Sequence, residues 1–109
     1  MSTTYQKDQI KTTYTSLSSA SWTDVTITPS ATSRIAITDI VLSSDTGTAK
    51  QQVRQYNGSS DEMVFIFNTA SDRNEQCHFS EPVFLKAGYR LQITASAASH
   101  VTINYFVVD

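Results

Sequence analysis

The sequence predicts an all-β fold, a jelly-roll-like antiparallel β-sandwich of about eight strands, on three observations. No stretch keeps helix-period apolar spacing for more than about two turns, whereas period-two alternation recurs from Trp22 to the C-terminus. The apolar content leans on Ile, Val, Phe and Tyr, side chains that suit a pleated, half-buried surface. Turn-forming residues punctuate the chain at intervals of about eight to twelve residues, the spacing of a sandwich or small barrel.

Taken in order, residues 1–9 are polar and featureless and read as a loosely held arm that orders on contact with a neighbour, leaving residues 10–109 as one sandwich domain. Ile10 to Leu17 is a weak strand candidate, followed by a small polar loop. From Trp22 to Thr28 the residues Trp22, Asp24, Thr26 and Thr28 alternate against Thr23, Val25 and Ile27, until Pro29, which has no amide hydrogen for a ladder, ends the strand. Arg34 to Ser43 is the clearest strand. Simple alternation puts Ile35, Ile37 and Val41 on one face and Ala36, Ile40 and Leu42 on the other, so both faces read as apolar. Asp39 interrupts the first face and, if buried, needs a partner, for which a loop or turn amide is the ordinary solution.

Ser44 to Thr48, with Gly47 free to take positive φ, and Asn57-Gly58 are turn signals bracketing a polar strand from Lys50 to Tyr56. Glu62 to Asn68 again reads as apolar on both sides, with Met63, Phe65 and Phe67 against Val64 and Ile66. Ser71 to Gln76 reads as a polar loop. Pro82 demotes its flanks, Cys77 to Ser80 and Val83 to Leu85, to an edge or a bent strand that could cross between sheets. Lys86-Ala87-Gly88 turns into a strand from Tyr89 to Ala95, Ala95 to Ser99 reads as a small-residue hairpin loop, and His100 to Val108 closes the chain with Phe106 and Val108 joining its second face.

The length of 109 residues suits a single core. A net charge of -2 and 17% charged residues offer no electrostatic footprint for nucleic acid or an acidic membrane. No signal peptide or membrane span is expected, since no apolar h-region opens the chain and no run of about eighteen apolar residues follows. The lone Cys77 cannot form an internal disulfide and reads as a structural thiol.

Catalytic constellations are sparse. Cys77 adjoins His78, but strand neighbours point to opposite faces and cannot act as nucleophile and base without a bulge. His78 and His100 therefore read as structural or surface residues, and two histidines with one cysteine are too few for a structural zinc site. Asp45, Asn57, Asp61, Asp72, Asn74 and Glu75 fall on predicted turns, where such side chains serve their own backbone more often than calcium. Three glycines in the whole chain rule out a phosphate-cradling loop, so no cofactor is expected. Trp22, Tyr56 and Tyr89 are the aromatics that could form a ligand or interface platform, and Arg54 and Arg73 could hold a partner's carboxylate.

Three stretches carry a resemblance: Arg34-Ile-Ala-Ile-Thr-Asp-Ile-Val-Leu-Ser-Ser, Glu81-Pro-Val-Phe-Leu-Lys-Ala-Gly-Tyr-Arg-Leu-Gln-Ile-Thr-Ala-Ser, and Val101-Thr-Ile-Asn-Tyr-Phe-Val-Val. Together they resemble small jelly-roll structural proteins of tailed bacteriophages, over Arg34 to Asp109. The resemblance implies a non-enzymatic virion protein made in the host cytoplasm. It would be a capsid decoration or cement subunit that forms a homo-oligomer, often a trimer, and contacts the major capsid protein or another virion protein. A tail-fibre or carbohydrate-binding module is the alternative. Strands apolar on both faces fit the same picture, because they need a second layer that copies or a shell would supply.

Overall fold

The alternating segments become eight strands in the computed structural model, which describes residues 10–18, 21–45, 48–70 and 74–108. The expected arm, Gly47 in its turn, Asp72 and Arg73 lie outside the described residues. The strands are β1 (Lys11–Leu17), β2 (Thr23–Asp24), β3 (Arg34–Ser44), β4 (Ala49–Tyr56), β5 (Asp61–Thr69), β6 (Asn74–Phe84), β7 (Arg90–Ala95) and β8 (Ser99–Val108). They form two antiparallel four-stranded sheets with orders β1-β8-β3-β6 and β2-β7-β4-β5. First pairs with eighth, second with seventh, third with sixth and fourth with fifth, so the chain is one long hairpin rolled over itself, the connectivity of a jelly roll. Only β4 and β5 are hydrogen-bonded neighbours in sequence, and every other connection passes between sheets. The segment between Ala95 and Ser99, expected as a hairpin, is one of these crossings, because β7 and β8 belong to different sheets.

Two β-bulges decide which side chains enter the core. In β3, Ile37 faces Tyr105 and Asp39 faces Asn104, leaving Thr38 as the extra residue against β8. That insertion shifts the alternation by one, so Ile35, Ile37, Ile40 and Leu42 all enter the same buried cluster. The two-faced apolar reading of this strand is therefore corrected: beyond the bulge its outer face carries Asp39, Val41 and Ser43. In β5, Val53 faces Phe65 while Arg54 faces Met63, so Val64 is the extra residue. Phe65 and Phe67 pack against the core, and Met63 and Ile66, placed on opposite sides by alternation, share the outer face.

Other expectations were corrected by specific contacts. The strand expected from Trp22 to Thr28 keeps a two-residue ladder, because the Thr26 hydroxyl takes the place of a backbone acceptor for the Leu91 amide (3.1 Å), and the Ile27 amide donates to the buried Tyr105 hydroxyl (3.2 Å). Beyond that point Ile27 is exposed rather than sharing the burial of Val25. Asn74, Glu75 and Gln76, expected in a loop, pair with Ser43, Leu42 and Val41. Strand β6 is an edge strand, as Pro82 implied, but it stays within one sheet. Residues 79–82 have no ladder partner opposite the β3 bulge, so the missing Pro82 amide hydrogen leaves no acceptor wanting.

The core joins both sheets through Leu17, Val25, Val53, Leu91, Ile93, Val101, Ile103 and Tyr105 as well as the β3 residues. Between the edge strands β5 and β6 the side of the sandwich is closed by Phe65 stacked on Phe79 (5.5 Å between centroids) with Phe67 tilted against Phe65 (5.8 Å). Among the described residues, no buried side-chain nitrogen or oxygen lacks a hydrogen-bond partner. The buried Thr69 hydroxyl donates to Gln51 Oε1 (2.8 Å), Gln51 Nε2 donates to Ser99 Oγ (3.2 Å), and Ser99 Oγ donates to the Ala97 carbonyl (2.9 Å). This chain ties β4, β5 and the start of β8 together at one end. Gln51→Leu should cost about 1–3 kcal/mol by leaving the Thr69 hydroxyl buried without its acceptor, whereas combining it with Thr69→Val and Ser99→Ala should recover most of the loss. Urea unfolding of both variants measures the difference.

Candidate interaction surface

The outer face of the β2-β7-β4-β5 sheet gathers two of the three aromatics singled out above. Arg54 and Tyr56 are two residues apart on β4, facing Gln92 and Arg90 of β7, so all four side chains share this face. Trp22, just before β2, closes the row. The Arg54 guanidinium carbon lies 4.1 Å from the Trp22 ring centroid and 4.7 Å from that of Tyr56, and Arg90 lies 4.9 Å from Tyr56. Arg54 Nε donates to Gln92 Oε1 (2.9 Å), and its terminal nitrogen is 3.5 Å from Asp61. Asp24 accepts from Arg90 Nε (2.9 Å) and Gln92 Nε2 (2.7 Å). Burial alone would raise the Asp24 carboxyl, but these hydrogen bonds outweigh it and hold the group below its ordinary value.

The arrangement holds the two-residue ladder of β2 in place by a row of cation–π contacts, each worth about 0.5–2 kcal/mol depending on exposure. It also covers the rings on their guanidinium side. Arg54 engages Asp61 of its own chain, the contact foreseen for a partner's carboxylate. Tyr89 is placed apart: it packs against the core cluster, with the Lys86 ammonium 5.9 Å from its ring.

On the other sheet the outer face carries two histidine–carboxylate pairs that local sequence could not reveal. His78 Nδ1 donates to Asp39 Oδ1 (2.5 Å), Asn104 Nδ2 donates to Asp39 Oδ2 (3.2 Å), and Thr12 Oγ1 donates to Asn104 Oδ1 (2.8 Å), a row spanning all four strands. Thr38, the bulge residue, adds its hydroxyl to Asp39 (3.0 Å). Asp39 thus finds side-chain partners rather than the turn amide expected. Burial pushes its carboxyl up, yet the hydrogen bonds from His78, Asn104 and Thr38 more than offset this and hold it below the usual aspartate value. A depressed folded-state value adds stability that is complete above the ordinary value of about 3.9 and is lost as pH falls through the folded value. The thermal midpoint should therefore drop on acidification below about pH 4 more steeply in the wild type than in Asp39→Asn, as calorimetry at stepped pH would read.

The second pair is His100 with Asp45, 2.8 Å from Nε2 to Oδ1, and Ser16 Oγ lies 3.2 Å from His100 Nδ1. In the neutral ring, Nε2 donates to the carboxylate and Nδ1 accepts from the serine. Those are the residue types of a hydrolytic triad, and here all three sit exposed, where water screens the charges. Their evident work is to fasten the edge strand β1 and the end of β3 to β8. Cys77 and His78 are separated as alternation requires, opposite Ile40 and Asp39 respectively.

A third feature concerns the edges. Of the large apolar side chains that remain exposed, Tyr14 (79%) lies on β1, Met63 (50%) and Ile66 (52%) on β5, and Phe84 (44%) on β6. Those are three of the four edge strands. Edge strands usually carry charge or proline that discourages pairing with another chain. Here β6 has Pro82 in its unpaired stretch, and Lys11 opens β1. Strand β5 likewise carries its charges, Asp61 and Glu62, at one end and then runs seven residues without charge, proline or glycine. The chain matches no protein-family model, no curated protein and no solved structure.

Proposed function

We propose that the chain is a non-enzymatic structural subunit of a virion, a capsid decoration or cement protein that associates with copies of itself and binds the shell of major capsid protein. One observation carries this reading: four of the five large apolar side chains exposed among the described residues lie on edge strands, two of them, Met63 and Ile66, on β5, where no charge follows Glu62. An edge of this kind exposes unpaired backbone groups beside apolar side chains, so a free monomer is prone to pairing and an assembled subunit is not. The need for cover is narrower than strand alternation suggested, because the bulges bring the β3 apolar residues inside, and it falls on the rims of the sandwich rather than on whole sheet faces. Lateral contact between rims suits subunits arranged around a symmetry axis, a trimer among them. The resemblance of residues 34–109 to phage jelly-roll proteins supplies the virion context.

The test is to purify particles made from a genome encoding this chain, identify the chain by mass spectrometry and locate its density by electron cryo-microscopy. Stoichiometric copies on the outside of the shell are the expected result. A chain missing from purified particles would overturn the proposal.

A further inference from the structure

The tip of the β4–β5 hairpin holds a chemical arrangement unrelated to assembly. Tyr56 and Asp61 form its last pair, and Asn57, Gly58, Ser59 and Ser60 span the four-residue turn, all exposed. Gly58 has φ +103°, a conformation that side-chain-bearing residues rarely adopt, and nothing lies within 4 Å of where a Cβ would stand. The Asn57 amide donates to the Ser60 carbonyl (3.2 Å), and the Tyr56 hydroxyl donates to the Gly58 carbonyl (2.9 Å). Three donors converge on one atom, Asn57 Oδ1: the Ser60 amide at 2.7 Å, the Ser59 amide at 2.9 Å and the Ser59 hydroxyl at 3.3 Å.

We propose that Asn57 is a self-modification site, converting through a cyclic imide to aspartate and isoaspartate. In this reaction the Gly58 backbone nitrogen gives up its proton and bonds to Asn57 Cγ, and the electron pair of the carbonyl moves onto Oδ1. That oxygen is where negative charge develops, and it lies in a nest of two backbone amides and a hydroxyl, the arrangement that stabilises an oxyanion. As the carbonyl re-forms, the Cγ–Nδ2 bond breaks and nitrogen leaves as ammonia, taking up the proton. Water then opens the ring at either carbonyl, giving aspartate or, with one methylene added to the main chain, isoaspartate. Water is the only co-reactant. The absence of a Cβ at position 58 leaves the attacking nitrogen unhindered.

The other asparagines among the described residues, Asn68, Asn74 and Asn104, lie in strands and precede Thr69, Glu75 and Tyr105, whose side chains crowd the same approach. Modification would place a new negative charge at the hairpin tip beside Asp61 and Arg54, and the isoaspartyl form would lengthen a turn held by Tyr56. A time-dependent charge would thus appear at one end of β5, where charge is otherwise confined to Asp61 and Glu62.

The experiment incubates the full chain, native and urea-unfolded, in warm, mildly alkaline buffer. The tryptic peptide from Gln55 to Arg73 is followed for a gain of one mass unit and for labelling by isoaspartyl methyltransferase. Native chain should convert at Asn57 at least as fast as unfolded chain, Ser59→Ala should slow the native reaction several-fold while leaving the unfolded rate unchanged, and Asn57→Ser should abolish it. A native chain that converts more slowly than the unfolded one, or whose rate ignores Ser59→Ala, overturns the proposal. Both substitutions lie in an exposed turn, and circular dichroism confirms that each variant is folded before its rate is read.

Discussion

Under the assembly proposed above, replacing Met63 and Ile66 together by lysine is expected to leave a monomer of 12.1 kDa. Both side chains point outward from the edge strand β5, so the change removes apolar contact area without touching the core. It also sets two like charges on a rim that a second copy must approach, a repulsion that edge strands commonly exploit against pairing. Sedimentation velocity reads the mass, and an unchanged circular dichroism spectrum would separate loss of assembly from loss of fold. A double-lysine variant that stays assembled would move the interface to the Phe84 or Tyr14 edge.

The second large effect concerns the β3 bulge. Ile37→Ala and Ile40→Ala are each expected to cost about 2–5 kcal/mol, because both empty space in the same tightly packed core, whereas Val41→Ala should cost below about 1 kcal/mol. Uninterrupted alternation would instead group Ile37 with Val41 and set Ile40 on the opposite face. Urea unfolding of the three variants distinguishes the two phases directly. A cheap Ile37→Ala, or a Val41→Ala as costly as Ile40→Ala, would contradict the placement of Thr38 as the inserted residue.

That contrast marks how far the fold was legible. Period-two alternation and turn chemistry act over a few residues, so the strands ending at Tyr56 and Ala95, the Asn57-Gly58 turn and the turn at Gly88, with φ +81°, could be read locally. The sandwich of two four-stranded sheets followed from their number and spacing. The bulges at Thr38 and Val64 could not be read, because an inserted residue carries no compositional mark and is defined by the strand opposite. The same is true of the early end of β2, which depends on the Thr26 hydroxyl meeting an amide 65 residues away.

The surface was legible in part. Trp22 and Tyr56 belong to one cluster, but the link between them is Arg54, and Tyr89 belongs elsewhere. Pairing of His78 with Asp39 and of His100 with Asp45 joins residues 39 and 55 positions apart, visible only once β8, β3 and β6 lie side by side. Strand β5 is apolar on both sides, as its sequence implies, but the bulge at Val64 changes the grouping and brings Met63 and Ile66 together on the outside.

Sedimentation equilibrium of the wild-type chain over a wide concentration range bears most directly on whether these rims are contact surfaces. The expected result is a mass that is an integral multiple of 12.1 kDa, falling toward 12.1 kDa on dilution. A mass of 12.1 kDa that does not change with concentration would contradict it.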